Sequence, residues 1–414
     1  MNTPIPLANL LTSEYVLPLN YSRVLTAFYQ AAISTGLPIA LWRHPDRPDQ
    51  QGLVDLSGVA KPTKINFQRQ PPGFAFAPFI NEDGGSTLFL KAGLTLNPDR
   101  LRGVEGPGQP AAAVEVANRR RFLSRFHDLV TADQPVWDWS VVPATTEKPV
   151  IATEAEFCRL VEQAVEYIKS TGIKKVVASR ATEAPLPHPF NPVATFENLC
   201  ARYPHAFISL VSIPAVGSWI GASPEILLTL NADTLKTVAL AGTQARPLDR
   251  PLAAITWGGK EIEEQALVSD YIRHFFQQLN LTTFAERGPQ TVPAGNLVHL
   301  KTEFQVKMRG PELLRLGNQI LDTLHPTSAV CGMPKKEALS FILEKEKYNR
   351  KFYSGFLGPV NLAGQSQLYV NLRCMELAAG RAILYVGAGI THDSTPHSEW
   401  QETILKSKTL LAVL

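Results

Sequence analysis

Cysteine is scarce in this chain of 414 residues, which contains four. The four lie far apart, form no CxxC pair and have no paired histidines nearby: Cys158, Cys200, Cys331 and Cys374. A thiolate zinc site requires closely spaced cysteine or histidine pairs. The sequence therefore excludes such a site and predicts reduced, buried thiols.

Long apolar runs and an excess of one charge are also missing. No stretch reaches the roughly 18 consecutive apolar residues of a membrane span, and residues 1–19 lack the basic start and apolar run of a signal peptide. The net charge of +3 is spread over the whole chain, which leaves no basic face for nucleic acid. We therefore expect a cytoplasmic, monomeric protein with a small-molecule ligand and no nucleic-acid or membrane partner.

Residues 1–150 and residues 151–414 differ in character. The first part alternates short apolar runs with turn signals, carries little catalytic chemistry and ends in an irregular stretch rich in proline. In the second part, Thr153 and Glu156 form a capping box that begins a helix, and strands arrive in runs with helices between some of them. This order predicts an α+β fold with a mixed, largely antiparallel sheet, a variable N-terminal part (1–150) and a functional region (151–414).

The segment AILYVGAGITHDSTPHSEWQETILKSK, at residues 382–408, predicts a strand, a glycine turn and a helix. Gly387 and Gly389 would allow a tight turn that exposes backbone N–H groups, and such a turn can bind an anion. Glu399, Glu402 and Lys406 are three and four residues apart and share one helical face. The segment is a candidate cradle for substrate and metal, although a surface helix with a Glu–Lys pair explains it equally well.

A second acidic pair lies in the helix predicted around residues 261–279, where Glu261 and Glu264 are three residues apart. Two helices thus each offer a Glu-x-x-Glu pair. Mg²⁺ prefers oxygen ligands and typically takes one or two carboxylates while keeping waters for an anionic substrate. The pairs are candidate magnesium ligands, although a solvated helix face explains each pair taken singly.

Single residues with possible chemistry lie in other stretches. The strand KKVVASR sends Lys174 and Lys175 to opposite faces, and a desolvated Lys175 could act as a base. Glu225, inside the largely apolar GASPEILL, could have its pKa raised by burial and act as a general acid. Gly242 and Thr243 could approach a ligand. The alternatives are a solvated lysine, a glutamate at a loop edge and a plain turn.

Taken together and in order, these stretches resemble the chorismate-utilising enzymes, and among them the isochorismate synthases. The matching motifs cover roughly residues 153–414 and are KVVASR, GASPEILL, LAGTQARP, the helix at 260–268, LVHLKTEF, LHPTSAVCGMPK, YSGFLG, LRC and GAGITHDSTPHSEWQET. The resemblance implies an α/β sandwich of two large, mostly antiparallel sheets packed face to face, with helices outside. It also implies one structural unit in which residues 151–414 form the chorismate-binding catalytic region.

The resemblance implies roles for individual residues. Lys175 would be the general base that activates water, and Glu225 the general acid, so that water adds at C2 of chorismate while the C4 hydroxyl leaves. The Mg²⁺ set would be Glu264 and Glu402 as ligands, with Glu261 and Glu399 holding metal-bound waters. The substrate-binding set would be Gly242, Thr243, His299, Tyr353, Arg373, Lys406 and the backbone at Ala388 and Gly389.

The same resemblance separates this chain from the members of the family that use ammonia. Anthranilate synthases carry glutamine where Lys175 stands, and aminodeoxychorismate synthases carry lysine where Ala241 stands. An inactive paralogue that binds chorismate or metal as a sensor would be expected to lose the base, the acid or a metal ligand, and these positions are intact here.

Salicylate synthases, which go on to eliminate pyruvate, are the alternative function because they share the proposed base and acid. His325 and Ala329 favour isochorismate synthase, since the lyases tend to have phenylalanine and threonine there. Tyr353 and Leu372 fit either activity. The resemblance does not choose between menaquinone and siderophore synthesis, which both begin with isochorismate.

Overall fold

The computed structural model describes residues 14–16, 20–81, 84–104, 112–147, 150–246, 251–294 and 297–414. Within these ranges the chain forms two sheets, of eleven and nine strands, and eight α-helices. All strand pairs in both sheets are antiparallel. The α+β class predicted from the sequence is confirmed.

The helices are α1 (Tyr21–Ser34), α2 (Ala113–Thr131), α3 (Glu154–Thr171), α4 (Pro192–Arg202), α5 (Gly259–Gln278), α6 (Pro311–Leu324), α7 (Lys335–Lys345) and α8 (Pro396–Leu411). The strands are β1 (Glu14–Val16), β2 (Ile39–Arg43), β3 (Gln50–Val54), β4 (Lys61–Thr63), β5 (Gly73–Ala77), β6 (Thr87–Lys91), β7 (Leu94–Asn97), β8 (Arg100–Gly103), β9 (Lys175–Pro185), β10 (Phe207–Ile213), β11 (Gly217–Ser223), β12 (Ile226–Leu230), β13 (Thr234–Ala245), β14 (Ala285–Ala294), β15 (Leu297–Lys307), β16 (Gly332–Met333), β17 (Phe356–Val360), β18 (Ser366–Val370), β19 (Cys374–Ala378) and β20 (Arg381–Ile390).

The first sheet has the order β1-β8-β7-β3-β2-β10-β11-β19-β20-β9-β16, and the second has the order β14-β15-β13-β12-β18-β17-β5-β6-β4. Strands from before residue 150 therefore occur in both sheets. In the first sheet β2 pairs with β10, and in the second β5 pairs with β17. The sequence-distant β9 and β20 become neighbours, and this pairing brings residues 175–185 beside residues 381–390.

Four apolar clusters hold the layers together. Aromatic residues fill the space between the sheets, including Trp42, Phe74, Trp219 and Tyr369. Helices α1, α2 and α4 cover the outer face of the first sheet, and α5 and α6 cover that of the second. Helices α3 and α7 pack on the end of the first sheet that β9 and β20 form. This arrangement is the sandwich with outer helices that the family resemblance implied.

Two of the places where the chain passes from one sheet to the other are neighbours in space. Pro224 and Glu225 connect β11 to β12, and residues 371–373 connect β18 to β19. Backbone hydrogen bonds join the crossings: the Ala222 N–H donates to the Arg373 carbonyl at 3.0 Å, and the Val370 N–H to the Glu225 carbonyl at 3.0 Å. Residues 368–377 therefore belong to two strands, since Arg373 has a left-handed backbone (φ +47°) where the chain changes sheet.

The predicted capping box at the start of α3 is confirmed. The Glu156 N–H donates to Thr153 Oγ1 at 3.3 Å and the Thr153 N–H donates to Glu156 Oε2 at 2.9 Å, which completes the capping box of α3. The four cysteines are free thiols, as predicted, but only Cys331 and Cys374 are buried, whereas Cys158 and Cys200 are partly exposed. No helix in the described part of the chain is long and apolar enough to cross a membrane.

Candidate active site

One pocket lies between the two sheets and collects most of the residues singled out in the sequence. Strands β9 and β20 form one wall, β13 and β15 form another, and α5 and α8 contribute acidic and basic side chains. The predicted site residues that line it are Lys175, Glu225, Gly242, Thr243, Glu261, Glu264, His299, Tyr353, Arg373, Gly389, Glu402 and Lys406. Ala388 and Glu399 are buried and do not line it.

The glycine turn predicted at Gly387 and Gly389 is wrong. Both residues lie within β20, where Gly387 pairs with Ser179 and Gly389 pairs with Val177. Glycine is needed at these positions because other residues approach the strand closely, and not because the chain turns there. A Cβ at Gly389 would lie 2.7 Å from Lys175 Cε, and a Cβ at Gly387 would lie 2.9 Å from Tyr353 Oη. Ala388, between them, points to the opposite face and packs with the cluster under α3 and α7.

Lys175 begins β9 and projects into the pocket, where it is 6% exposed. The alternation of the strand places Lys174 on the other face, where it is exposed, as the sequence predicted. The Lys175 ammonium lies 4.0 Å from Oε2 of Glu264, which projects from α5. A buried lysine with a single distant carboxylate partner is a candidate for proton transfer in the pocket.

Glu225 lies at the first crossing between the sheets and is 4% exposed. Its Oε1 accepts a hydrogen bond from Thr327 Oγ1 at 3.3 Å. Burial raises the pKa of Glu225 to about 7, although the Thr327 hydrogen bond and the charges of Lys175 and Arg373 act to lower it. Near neutral pH, a substantial fraction of Glu225 therefore carries a proton that it can donate.

Lysines form close ion pairs with two further acids, Glu402 and Glu399. Lys406 Nζ lies 2.6 Å from Glu402 Oε1 and also donates to the Gly387 carbonyl at 2.8 Å, which ties α8 to β20. Burial acts to raise the pKa of Glu402, but the charge and hydrogen bond of Lys406 outweigh it and hold that pKa below its usual range. Lys260, which the sequence analysis did not single out, lines the pocket and pairs with Glu399 at 3.1 Å.

A bulge in β13 shapes the wall opposite β9. Gly242 has φ +63° at the point where the register with β15 shifts, and a Cβ there would lie 3.0 Å from that of Glu261. His299 Nδ1 lies 3.0 Å from the Gly242 carbonyl and 3.1 Å from Thr243 Oγ1. Burial lowers the pKa of His299 to about 3, so the ring is neutral at pH 7.

The neutral His299 ring presents an acceptor. Because the Gly242 carbonyl only accepts, Nδ1 carries the proton and Nε2 keeps its lone pair. Nε2 is buried and has no hydrogen-bond partner among the described residues. A ligand hydroxyl would satisfy it.

Two further residues complete the pocket. Arg373 lies at the second crossing between the sheets and forms no ion pair with the described residues, while burial lowers its pKa. Tyr353 is buried and stacks near Tyr385, and burial raises its pKa to about 12. Together they offer a cation and a hydroxyl donor to an anionic ligand.

Oxygen donors for a metal ion are present on two helices. Glu261 and Glu264 line the pocket from α5, and Glu402 lines it from α8. No ready-made group of three or more histidine, cysteine, aspartate or glutamate ligands occurs among the described residues. The donor set suits Mg²⁺, which binds through one or two carboxylates and completes its shell with waters and substrate oxygens.

His325 and Cys331 have structural roles in this fold. His325 Nε2 lies 3.1 Å from the Pro78 carbonyl, and the ring packs edge-on against Phe356. Cys331 is buried in the apolar cluster between α3 and α7. The Thr327 hydrogen bond to Glu225 was not predicted, because the two residues are 102 positions apart and no local pattern connects them.

Comparison with known proteins defines the class. Residues 119–414 match the family described as chorismate binding enzyme, and the chain belongs to this family. The pocket with its acids, lysines and arginine lies within the matched residues.

Within this family, the chain is similar to several isochorismate synthases. The chain is 30% identical to the vibriobactin-specific isochorismate synthase of Vibrio cholerae over 247 residues, which cover 58% of this chain and 62% of that protein. It is 30% identical over 366 residues to a putative isochorismate synthase of Aeromonas hydrophila, covering 86% and 83%. The solved structure of MenF, the menaquinone-specific isochorismate synthase of Escherichia coli, shares the fold with a TM-score of 0.75 at 21% identity, over 99% of this chain and 98% of MenF.

Alanine substitutions at the two β20 glycines should have different costs. In Gly387→Ala the new Cβ meets the Ala178 carbonyl at 2.8 Å, and this backbone atom cannot move freely, so we expect about 1–3 kcal/mol lower stability. In Gly389→Ala it meets the flexible end of Lys175, which can shift, so stability should change less. Urea unfolding measures both.

Gly259→Ala is the control, because a Cβ there meets nothing within 4 Å. It should leave the free energy of unfolding within about 1 kcal/mol of wild type. If Gly389→Ala proved as destabilising as Gly387→Ala, Lys175 would be held more rigidly than we conclude.

Proposed function

We propose that the protein is an isochorismate synthase, which converts chorismate to isochorismate in a Mg²⁺-dependent reaction. The observation that carries the proposal is that Lys175 and Glu225 line one pocket together with an arginine, a further lysine and carboxylates from two helices. Relatives whose names state this activity support it. Water would add at C2 of the ring while the C4 hydroxyl leaves and the double bonds shift.

Lys175 and Glu225 have complementary tasks in this reaction. Water is a poor nucleophile, so Lys175 takes a proton from it as it attacks C2. Hydroxide is a poor leaving group, so Glu225 donates a proton to the departing C4 oxygen and water is released. A positioned acid or base typically contributes about 10²–10⁴ in rate. The buried, partly protonated state of Glu225 near pH 7 supports its role as the acid.

The remaining residues would bind and orient the substrate. Arg373 and Lys406 would pair with its carboxylates, and Tyr353 would donate a hydrogen bond. The backbone at Ala388 and Gly389 would contribute further contacts. The free Nε2 of His299 would accept from a substrate hydroxyl, while its Nδ1 keeps the Gly242 bulge and Thr243 in place.

Glu264 and Glu402 would hold the Mg²⁺, with Glu261 and Glu399 fixing its waters. When bound, the ion would neutralise a substrate carboxylate beside these glutamates. Glu399 does not line the pocket and is paired with Lys260, which fits a role at one remove from the metal. Glu402 in turn keeps Lys406 oriented, since their ion pair lies next to the Gly387 carbonyl.

Product analysis after incubation with chorismate tests the assignment of base and acid. Wild type should give a mixture of chorismate and isochorismate, and Lys175→Ala and Glu225→Gln should each lower kcat by about 10²–10⁴ because each removes a proton-transfer group. Chromatography of the products measures this.

An exposed lysine and an exposed glutamate near the pocket provide matched controls for Lys175→Ala and Glu225→Gln. Lys174→Ala and Glu263→Gln remove the same charges just outside the pocket wall and should leave kcat within about twofold of wild type. Salicylate and pyruvate as products would instead identify the protein as a salicylate synthase. Absence of any turnover by wild type would refute the proposal.

Metal removal tests the cofactor. Chelation with EDTA should abolish turnover, and added Mg²⁺ should restore it, because the acids would otherwise repel a dianionic substrate. Glu264→Gln should raise the Mg²⁺ concentration needed for half-maximal activity, whereas Glu263→Gln should not. Full activity in the presence of EDTA would contradict a magnesium requirement.

The Thr327 hydrogen bond to Glu225 predicts a pH effect. If Glu225 must be protonated, kcat/KM should fall as the pH rises above about 7. The Thr327 bond lowers the pKa of Glu225, so Thr327→Val should raise that pKa and move this limb of the profile up by about one pH unit. Ser328→Ala is the control and should leave the limb in place. A downward shift in Thr327→Val would contradict the assignment.

A further inference from the structure

Arg350 and Glu346 form a buried ion pair outside the pocket. Their side chains are 2% and 3% exposed. Arg350 Nε donates to Glu346 Oε2 at 2.8 Å, and Nη2 donates to Oε1 at 2.6 Å. The guanidinium also lies over the ring of Phe79, 4.3 Å from its centroid. A pair this deeply buried requires further hydrogen bonds to offset the loss of water.

Those further bonds reach β9, the strand that carries Lys175. Arg350 Nη2 donates to the Val177 carbonyl at 2.7 Å, and Glu346 Oε1 accepts from the Ser179 N–H at 2.8 Å. The neighbouring strand β16 has two residues and pairs with Lys175 and Val176, and just before it the Cys331 carbonyl accepts from the Val177 N–H at 2.9 Å. The ion pair therefore satisfies the backbone groups of β9 where its neighbouring strand has ended.

The same guanidinium also reaches the segment that contacts Glu225. Arg350 Nη1 donates to the Val330 carbonyl at 2.9 Å. The Val330 N–H in turn donates to the Thr327 carbonyl at 3.1 Å, and Thr327 Oγ1 donates to Glu225. Val177 and Val330 line the pocket, whereas Arg350 does not.

We infer that Arg350 is a positioning residue, which sets the spacing between the Lys175 strand and the Thr327 segment by bonding the Val177 and Val330 carbonyls with one planar group. This inference rests on the proposed function, in which Lys175 is the base and Glu225 the acid. Arginine suits the task because its rigid fork addresses a carboxylate and two carbonyls at once. Lysine has three donors on a flexible stem and cannot reproduce that geometry.

Arg350→Lys tests the inference, because it keeps the charge beside Glu346 and loses the fork. We expect kcat for isochorismate formation to fall by about 10- to 100-fold, since a displacement of about 1 Å at a reacting group can cost 10²-fold. KM should change less than about threefold, because Arg350 does not touch substrate. Arg315→Lys, in an exposed ion pair on α6, is the matched control and should leave both constants unchanged.

A double-mutant cycle with Thr327→Val separates positioning from general destabilisation. If Arg350 acts through Thr327, Arg350→Lys should cost at least about fivefold less in kcat in the Thr327→Val background than in wild type. Additive effects on kcat would overturn the inference. Glu346→Gln leaves both carbonyl bonds possible, so it should lower Tm while its effect on kcat adds to that of Thr327→Val. If Arg350→Lys does not fold, Glu346→Gln replaces it in the cycle, and a non-additive effect of Glu346→Gln on kcat would then overturn the inference, because both carbonyl bonds remain in that variant.

Hydrogen exchange of backbone amides tests the spacing without any activity. In Arg350→Lys, amides of residues 175–180 and 326–333 should both exchange faster than in wild type, while β10 and β11 stay protected. Faster exchange in only one segment, or in neither, would overturn the inference. If wild type did not turn over chorismate, the proposed function would fail, and this measurement would still decide whether Arg350 joins the two segments.

Discussion

The site depends on two neighbouring crossings, among those at which the chain passes from one sheet to the other. Within a sheet, alternate side chains point to opposite faces and the backbone groups bond to the neighbouring strands. At the crossings the backbone leaves the ladder, so Glu225 and Arg373 can project into the space between the sheets. The hydrogen bonds between Ala222 and Arg373, and between Val370 and Glu225, hold the crossings together. The acid and the cation therefore have fixed positions relative to both sheets.

Local patterns predicted the parts of the site that depend on local geometry. Strand alternation predicted that Lys174 and Lys175 lie on opposite faces, and the structure shows Lys175 buried and Lys174 exposed. Helical spacing predicted that each acid pair shares one helix, and these helices are α5 and α8. The glycine turn was wrong because a glycine signals either unusual φ or close approach, and sequence alone does not distinguish them. At Gly389 the close approach of Lys175, 214 positions earlier, is the reason, and Lys175 became its neighbour only through the pairing of β9 with β20.

The residues that the sequence analysis missed are those whose role is long-range. Thr327, Lys260 and Arg350 each contact a group far away in sequence: Glu225, Glu399 and the Val177 carbonyl. None of them stands out by spacing, because a polar residue in a loop or at a helix start is common. The fold class, by contrast, follows from the order of strands and helices, which is visible along the chain.

In the proposed reaction Glu225 carries a proton and Glu402 is ionised, and burial and the nearby charges distinguish these two carboxyls. Burial acts to raise the pKa of both Glu225 and Glu402, yet the two pKa values move in opposite directions. Glu402 has Lys406 at 2.6 Å, whereas the closest polar contact of Glu225 is a neutral hydroxyl. Because the Lys406 ammonium also donates to the Gly387 carbonyl, its charge is held beside Glu402. The opposite pKa shifts of Glu225 and Glu402 thus depend in part on the pairing of β9 with β20, because β20 holds Lys406 through the Gly387 carbonyl and lies against Lys175 at Gly389.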